Sequence, residues 1–350
     1  MNISKNTEYL IVSIDGGLGK VIASTAAVRC LKKAYPDKKI IVLSGWPEVY
    51  DLNPHVYRTL RFNEYRHMYE DYAKKSTLLI ENPYHLDSYR HDGKHLTESF
   101  CEAWQIEFDG NYFPEIYLDD ELISVAHKKL LDIKTQTNGL PILIVQYVGR
   151  MQKEESSSVF LPSGRENILL FNELMNKISD KCVMLIMKDA DQPVVNVQKN
   201  TLLTKEQLHF RYWMATIAMA DGFLGIDSCG HHMAAAFRKP AFVVWGRTDA
   251  NALGYQYPGV LHVRNSECDE SPCNGIINAP IPGWKCKYNY KCMKAFNVEK
   301  LTEKICEHFN LNKIDPAQIQ NEENKTLESK SVELKSEEIE LNTIEETSKE

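Results

Sequence analysis

Two short stretches hold residue types that can do chemistry. One is Asp227-Ser228-Cys229-Gly230-His231-His232, which gathers a carboxylate, a hydroxyl, a thiol and two imidazoles behind a run of apolar residues. The other is Asp15-Gly16-Gly17-Leu18-Gly19-Lys20, an acid and a base separated by small residues. Small residues let the backbone approach a ligand closely. A helix that begins just behind them presents N–H groups and a positive dipole end, which together bind phosphate. The first of these stretches therefore points to anion binding, with His232 placed early in its helix to add a donor to the same anion.

The flanking residues show which elements must hold these stretches. Phe223 to Ile226 is a short apolar run of buried-strand type. Ser228 is a helix-capping residue type, and His232 to Phe237 is Ala-rich and suits a helix. Pro240 stops that helix, and Ala241 to Trp245 is a second apolar strand. At the other end of the chain, Tyr9 to Ile14 is a strand and Asp15 to Lys20 a turn. Val21 to Ala34 reads as a helix with Val21, Ala27, Val28 and Leu31 on one side, and Lys39 to Ser44 is the next strand. Strand, glycine turn, helix, strand is a βαβ unit, so the sheet is parallel and ligands are expected at the carboxyl ends of its strands. Two familiar phosphate motifs do not fit the turn. A P-loop would need a Gly where Ile14 stands and Ser or Thr where Val21 stands. A dinucleotide fingerprint would need a Gly at Ile22.

Both stretches resemble instead the motifs of the heptosyltransferase-like glycosyltransferases, family 9, of the GT-B fold. Asp227, Ser228, His232, Ala234, Ala235, Ala236, Pro240 and Gly246 match the family's C-terminal signature. Gly19, Ser24, Thr25, Leu31, Lys32, Tyr35 and Pro36 match its N-terminal one, and Asn53-Pro54-His55-Val56 resembles its Asn-Pro-x-Val. Cys229 stands where the family usually has Gly. Lys20 stands where the family has the Asp proposed as catalytic base, and a Lys serves as such a base only if burial lowers its pKa strongly. Asp15 is the nearest carboxylate, readable as a cap for the turn backbone or as the base, and Lys20 as a holder of phosphate or an acidic acceptor. The resemblance implies a donor site at the Gly-containing turn after the first strand of the second half, Pro141 to Tyr147. There Gly149 is followed by Arg150, Lys153 and Arg165, basic candidates that the sequence leaves unranked.

The rest of the chain bounds the reading. With 350 residues, 43% hydrophobic and 25% charged, it suits two globular domains. No apolar run is long enough to span a membrane, and the N-terminus lacks the apolar region of a signal peptide, so a cytoplasmic location is expected. The net charge is −7, but Gln318 to Glu350 holds ten Glu against four Lys, which leaves the remainder near neutral and without a bulk footprint for nucleic acid. Of nine cysteines, five are scattered, as in a reducing compartment. Cys268, Cys273, Cys286 and Cys292 lack the tight paired spacing of a zinc site, although the family often carries a comparable cluster ending Cys-Met, here Cys292-Met293. Further helices are expected over Asp120–Ile133, Glu166–Ile178, Glu206–Ala220 and Val298–Phe309, and strands over Thr77–Ile80 and Cys182–Met187. Glu81, His85, Asp87, Tyr89, Arg90, His91, Asp92 and Lys94 are expected in an exposed loop or along an acceptor site.

The resulting expectation is an α/β protein of GT-B fold, two Rossmann-like domains facing across a cleft. Residues 1–138 form an acceptor domain, 139–315 a nucleotide-sugar donor domain and 316–350 a disordered acidic tail. The resemblance implies an inverting, metal-independent glycosyltransferase that moves a sugar from a nucleotide-diphosphate donor to a glycan or lipid-linked acceptor. Asp15 and Lys20 are its catalytic residues, and Gly17, Gly19, Gly149, Arg150, Lys153, Asp227, Ser228, Cys229, Gly230 and His232 are its donor-binding set, with no metal and no cofactor. The competing readings are a GT-B shell that binds a nucleotide sugar or glycan without transferring it, and a GT-B epimerase.

Overall fold

The computed structural model describes residues 7–80, 82–149, 164–188, 199–203, 209–269, 271–273 and 288–312. The expectations for Arg150, Lys153, Glu81, Cys286 and the tail fall outside these residues.

Short apolar strands alternating with helices build two parallel sheets. In the first, β1 (Tyr9–Ile14), β2 (Lys39–Ser44), β3 (Arg58–Arg61) and β4 (Ser76–Leu79) lie in the order β3-β2-β1-β4. In the second, β5 (Ile142–Gln146), β6 (Val183–Ile186), β7 (Thr201–Leu203), β8 (Gly222–Ile226), β9 (Ala241–Trp245) and β10 (Val260–Arg264) lie in the order β10-β9-β8-β5-β6-β7. Every pairing is parallel, with Ile11 facing Ile41 and Leu78 in the first sheet and Ile144 facing Leu185 and Phe223 in the second. The central strands β1, β5 and β9 are almost wholly buried, which is why they read as unbroken apolar runs rather than alternating ones.

Each sheet reverses its direction of growth once. The chain leaves β1 for β2 and β3 on one side, then returns to lay β4 on the other. It leaves β5 for β6 and β7, then returns to lay β8 on the far side of β5. Crevices open at such switch points, outside the carboxyl ends of the strands. The turn after β1 and the turn after β8, the two stretches that carry the chemistry, sit at these two points.

Helix α1 (Leu18–Ala34) is buried from Lys20 through Leu31, more completely than a one-sided apolar stripe predicts. The reason is its small residues, Ala23, Ser24, Thr25, Ala26 and Ala27, which let helix α2 (Leu96–Ala103) and helix α6 (Cys229–Ala236) pack closely against it. Helix α3 (Asp120–Gln136), capped by the Asp119 carboxylate on the Leu122 N–H, packs on α5 (Phe210–Met219). Helices α4 (Gly164–Ile178) and α7 (Val298–His308) pack together beside the second sheet. From α5, Arg211 donates to the carbonyl oxygens of Glu48 at 3.0 Å and Tyr117 at 3.2 Å, and pairs with Asp51 and Asp119 at 3.6 Å each. One guanidinium thus fastens an element of the second sheet's half to the turn after β2.

Three strands, β3, β7 and β10, were not expected from the sequence. All are at or next to a sheet edge; β3 carries Arg at both ends, and β10 is only half-buried throughout, so neither shows the apolar run that marks a central strand. Helix α6 begins at Cys229, three residues before its Ala-rich segment, because Gly230 and the two histidines are drawn into its first turn.

Candidate active site

Between the two sheets lies a cavity of about 730 Å³. Its walls come from the carboxyl ends of strands in both sheets. The first sheet contributes Gly17 to Lys20 after β1, Trp46 and Glu48 after β2, Arg61 at the end of β3, and Tyr84 and Tyr89 after β4. The second contributes Gln146 and Gly149 after β5, Met187 and Lys188 after β6, Ile226 to Cys229 after β8, and Gly246 to Thr248 after β9, joined by Asn167, Phe210, Trp213 and His232. Four side chains of the lining are basic (Lys20, Arg61, Lys188, Arg247) and two are acidic (Glu48, Asp227). Trp46, Tyr84, Tyr89, Phe210 and Trp213 add aromatic rings to the walls.

The first turns of α1 and α6 meet here. Neither helix has an acidic residue in its first turn or a side-chain cap on its N-terminal residue, Gly17 or Ser228. Gly19 has to be glycine, because a Cβ there would stand 2.9 Å from Cδ2 of the His232 ring. His232 donates or accepts through Nδ1 to the Tyr255 hydroxyl at 2.8 Å, and its other ring edge faces Gly19 and the cavity. Burial holds His232 well below the ordinary imidazole pKa, so it is neutral. The Gly230 N–H, expected to be available to an anion, is instead taken by the Gln146 side-chain oxygen at 2.8 Å. A Cβ at Gly230 would fall 2.5 Å from that oxygen. Gln146 was not singled out in the sequence; as the last residue of an apolar strand it looks like ordinary strand, and only the β5–β8 pairing brings it under α6.

Lys20 is 6% exposed, and its Nζ bonds Asp15 Oδ1 at 2.9 Å and lies 5.0 Å from the centre of the Tyr84 ring. Burial pushes the Lys20 ammonium down, while the Asp15 bond opposes that. Asp15 is held below its ordinary range by the hydrogen bond from Lys20, and its side chain is 71% exposed and not among the cavity walls. Glu48 does line the cavity. Arg61 holds its Oε1, and its Oε2 is buried without a hydrogen-bond partner.

Asp227 lies against the cavity with its pKa pushed up by burial and drawn back by His231, Thr248 and Arg247. Asp227, His231 and His232 are the group among the described residues whose possible ligand atoms come within 4.8 Å of one another. Both His231 nitrogens and one His232 nitrogen are already engaged in protein hydrogen bonds. Of the cysteine cluster, Cys268 and Cys273 are half-buried and Cys292 is buried. Of the expected donor-binding residues, Gly17, Gly19, Gly149, Asp227, Ser228, Cys229 and His232 all line the cavity, whereas Gly230 lies behind it. Of the eight loop residues expected in the exposed loop or acceptor site, Tyr89 lines it.

Solved structures of similar architecture include glycosyltransferases. A glycosyl transferase family 9 structure from Veillonella parvula matches with a TM-score of 0.61 at 15% identity, over 89% of this chain and 99% of that one. ADP-heptose LPS heptosyltransferase II of E. coli matches with a TM-score of 0.61 at 11% identity, over 88% and 100%. TibC of enterotoxigenic E. coli, described as an iron-containing dodecameric glycosyltransferase, matches with a TM-score of 0.59 at 11% identity, over 87% and 77%. No protein-family model and no curated protein matches the chain. The likeness establishes the fold, the GT-B-like α/β architecture that the two motifs imply.

Proposed function

We propose that this chain is a glycosyltransferase that moves a sugar from a nucleotide-diphosphate donor to a hydroxyl of a glycan or lipid-linked acceptor. The observation that carries the reading is the convergence of two helix N-termini, α1 and α6, on one cavity whose walls hold Lys20 and Arg247. As the bond between sugar and diphosphate breaks, negative charge grows on the diphosphate oxygens. Preorganised N–H groups and cations aimed at that charge lower the barrier. They fill the part a divalent cation plays in other transferases, which supports a metal-independent reaction. The solved glycosyltransferases of like fold support the same class, and the heptosyltransferases among them make an ADP-heptose a first donor to try.

The acceptor hydroxyl needs a base on the first sheet's side. That part falls to Glu48, which lines the cavity with one oxygen paired to Arg61 and the other buried without a hydrogen-bond partner, and Asp15 stays the counter-ion of Lys20. Attack from the face opposite the diphosphate gives inversion. The test is a panel of sugar nucleotides, with and without a chelator, assayed for transfer and for hydrolysis. Turnover of one donor in the presence of chelator is the expected result. Binding without turnover of any donor would favour the module that only holds a nucleotide sugar, and binding of none would overturn the assignment.

A further inference from the structure

Four histidines surround the segment from Leu253 to His262, and their hydrogen bonds divide them. His95 accepts from the Thr97 N–H through Nδ1 and faces the Gly254 carbonyl oxygen through Nε2 at 2.9 Å. His262 accepts from the Trp245 indole N–H through Nδ1 and faces the Tyr255 carbonyl oxygen through Nε2, each at 2.9 Å. Each of these rings meets one donor and one acceptor, which a neutral imidazole satisfies with its single proton. His232 meets a hydroxyl, which can play either part. His231 differs. Its Nδ1 lies 2.9 Å from the Ser228 carbonyl oxygen and its Nε2 lies 2.9 Å from the Leu253 carbonyl oxygen, and a carbonyl can only accept. The side chain is 2% exposed, so water does not take up the mismatch, and the Asp227 carboxylate stands 3.6 Å from Nδ1.

We infer that His231 is a doubly protonated imidazolium whose work is to neutralise Asp227, so that a carboxylate can stand in a cavity built for an anion. The titratable groups around it are Asp227, His232, His95, His262 and Tyr255. Burial holds the other three histidines neutral and the Tyr255 phenol protonated. Among these groups His231 is therefore the one that can carry a compensating charge, and it does so together with the Arg247 guanidinium, which also favours the charged form of Asp227. The bond to Leu253 also ties the first turn of α6 to the turn Ala250–Leu253, which holds the cation where the helix dipole already favours an anion. His231 is a positioning residue: it does not line the cavity and acts on the diphosphate through Asp227. This role rests on the reading of the cavity as a diphosphate site.

Ring nitrogen NMR and pyrophosphate binding test the two parts separately. In protein labelled with 15N-histidine, the His231 signals, assigned by their loss in His231→Gln, are expected to show both ring nitrogens as N–H at pH 7.5. One imine-type nitrogen on that ring overturns the inference, and this measurement on the unaltered protein stands even if the variant folds poorly. By calorimetry with inorganic pyrophosphate, His231→Gln is expected to bind about 10-fold or more weakly than the unaltered protein, because Asp227 keeps only Arg247 as a cationic neighbour beside the anion. The double variant H231Q/D227N is expected to regain most of the loss, since it carries neither charge and the probe has no sugar to miss the carboxylate. Equal binding by His231→Gln and the unaltered protein overturns the role of His231 alone. Failure of the unaltered protein to bind pyrophosphate overturns the diphosphate reading and the role with it.

Discussion

At the scale of single residues, the site separates the carboxylates by what holds them. Asp15 is exposed, is paired with Lys20 and is not among the cavity walls. Glu48 lines the cavity; one of its oxygens is paired with Arg61, and the other is buried without a hydrogen-bond partner. Glu48→Gln is therefore expected to lower kcat by roughly 10²–10⁴-fold with donor affinity little changed. Asp15→Asn is expected to act through Lys20, raising the Michaelis constant while kcat stays within about 10-fold. Steady-state kinetics on both variants decide; a silent Glu48→Gln beside an inactive Asp15→Asn would return the base to the turn after β1. Gly19 is the second such position. Its substitution by Ala would drive a Cβ into the His232 ring, which the Tyr255 hydroxyl restrains. Overpacking of this kind costs roughly 1–3 kcal/mol, and calorimetric melting should show a drop of a few degrees together with weaker pyrophosphate binding.

At the scale of elements, the contacts that join the two halves are polar as well as apolar. His95 caps α2 through Nδ1 and reaches the Gly254 carbonyl through Nε2, so one ring serves an element of the first half and a turn of the second. Burial lowers its pKa to about 4 from an ordinary value of 6.5. The unfolded chain then binds a proton at a pH where the folded one does not. The contribution is complete above about pH 6.5 and is lost as the pH falls toward 4, a difference on the order of 3 kcal/mol. Denaturant unfolding at a series of pH values should show stability falling across that window, and His95→Gln should flatten the fall. An unchanged slope in the variant would assign the acid sensitivity to other groups.

At the scale of the whole molecule, the acidic run Gln318 to Glu350 has too few large apolar residues to join a core. A chain ending before Gln318 is expected to melt within a degree or two of the full chain, and a drop of several degrees in differential scanning calorimetry would show that the run docks. Among the described residues no helix is long and apolar enough to cross a membrane. The cavity is a property of both sheets together, because its walls alternate between strand ends of the first and the second.

The sequence by itself determined the alternation of strands and helices, the parallel character of both sheets and the two glycine-containing turns at their switch points. These are local matters: apolar runs, breakers and small residues act on neighbours along the chain. It also offered Gly17, Gly19 and Asp227 to His232 as the candidate anion-binding set, since small residues ahead of a helix start are visible in a few consecutive letters. Only the tertiary structure decided which groups meet across the chain. Gln146 takes the Gly230 N–H, His232 closes on Gly19, Lys20 is buried against Asp15, and Glu48 rather than Asp15 lines the cavity. The edge strands β3, β7 and β10 were hidden for a related reason. Their stability comes from hydrogen bonds to a neighbouring strand rather than from an apolar run of their own, and pairing partners far apart in sequence leave no local mark. The charge of His231 belongs to the same class, because it depends on two carbonyl oxygens, one from its own turn and one from Leu253, that only the folded chain brings to the ring.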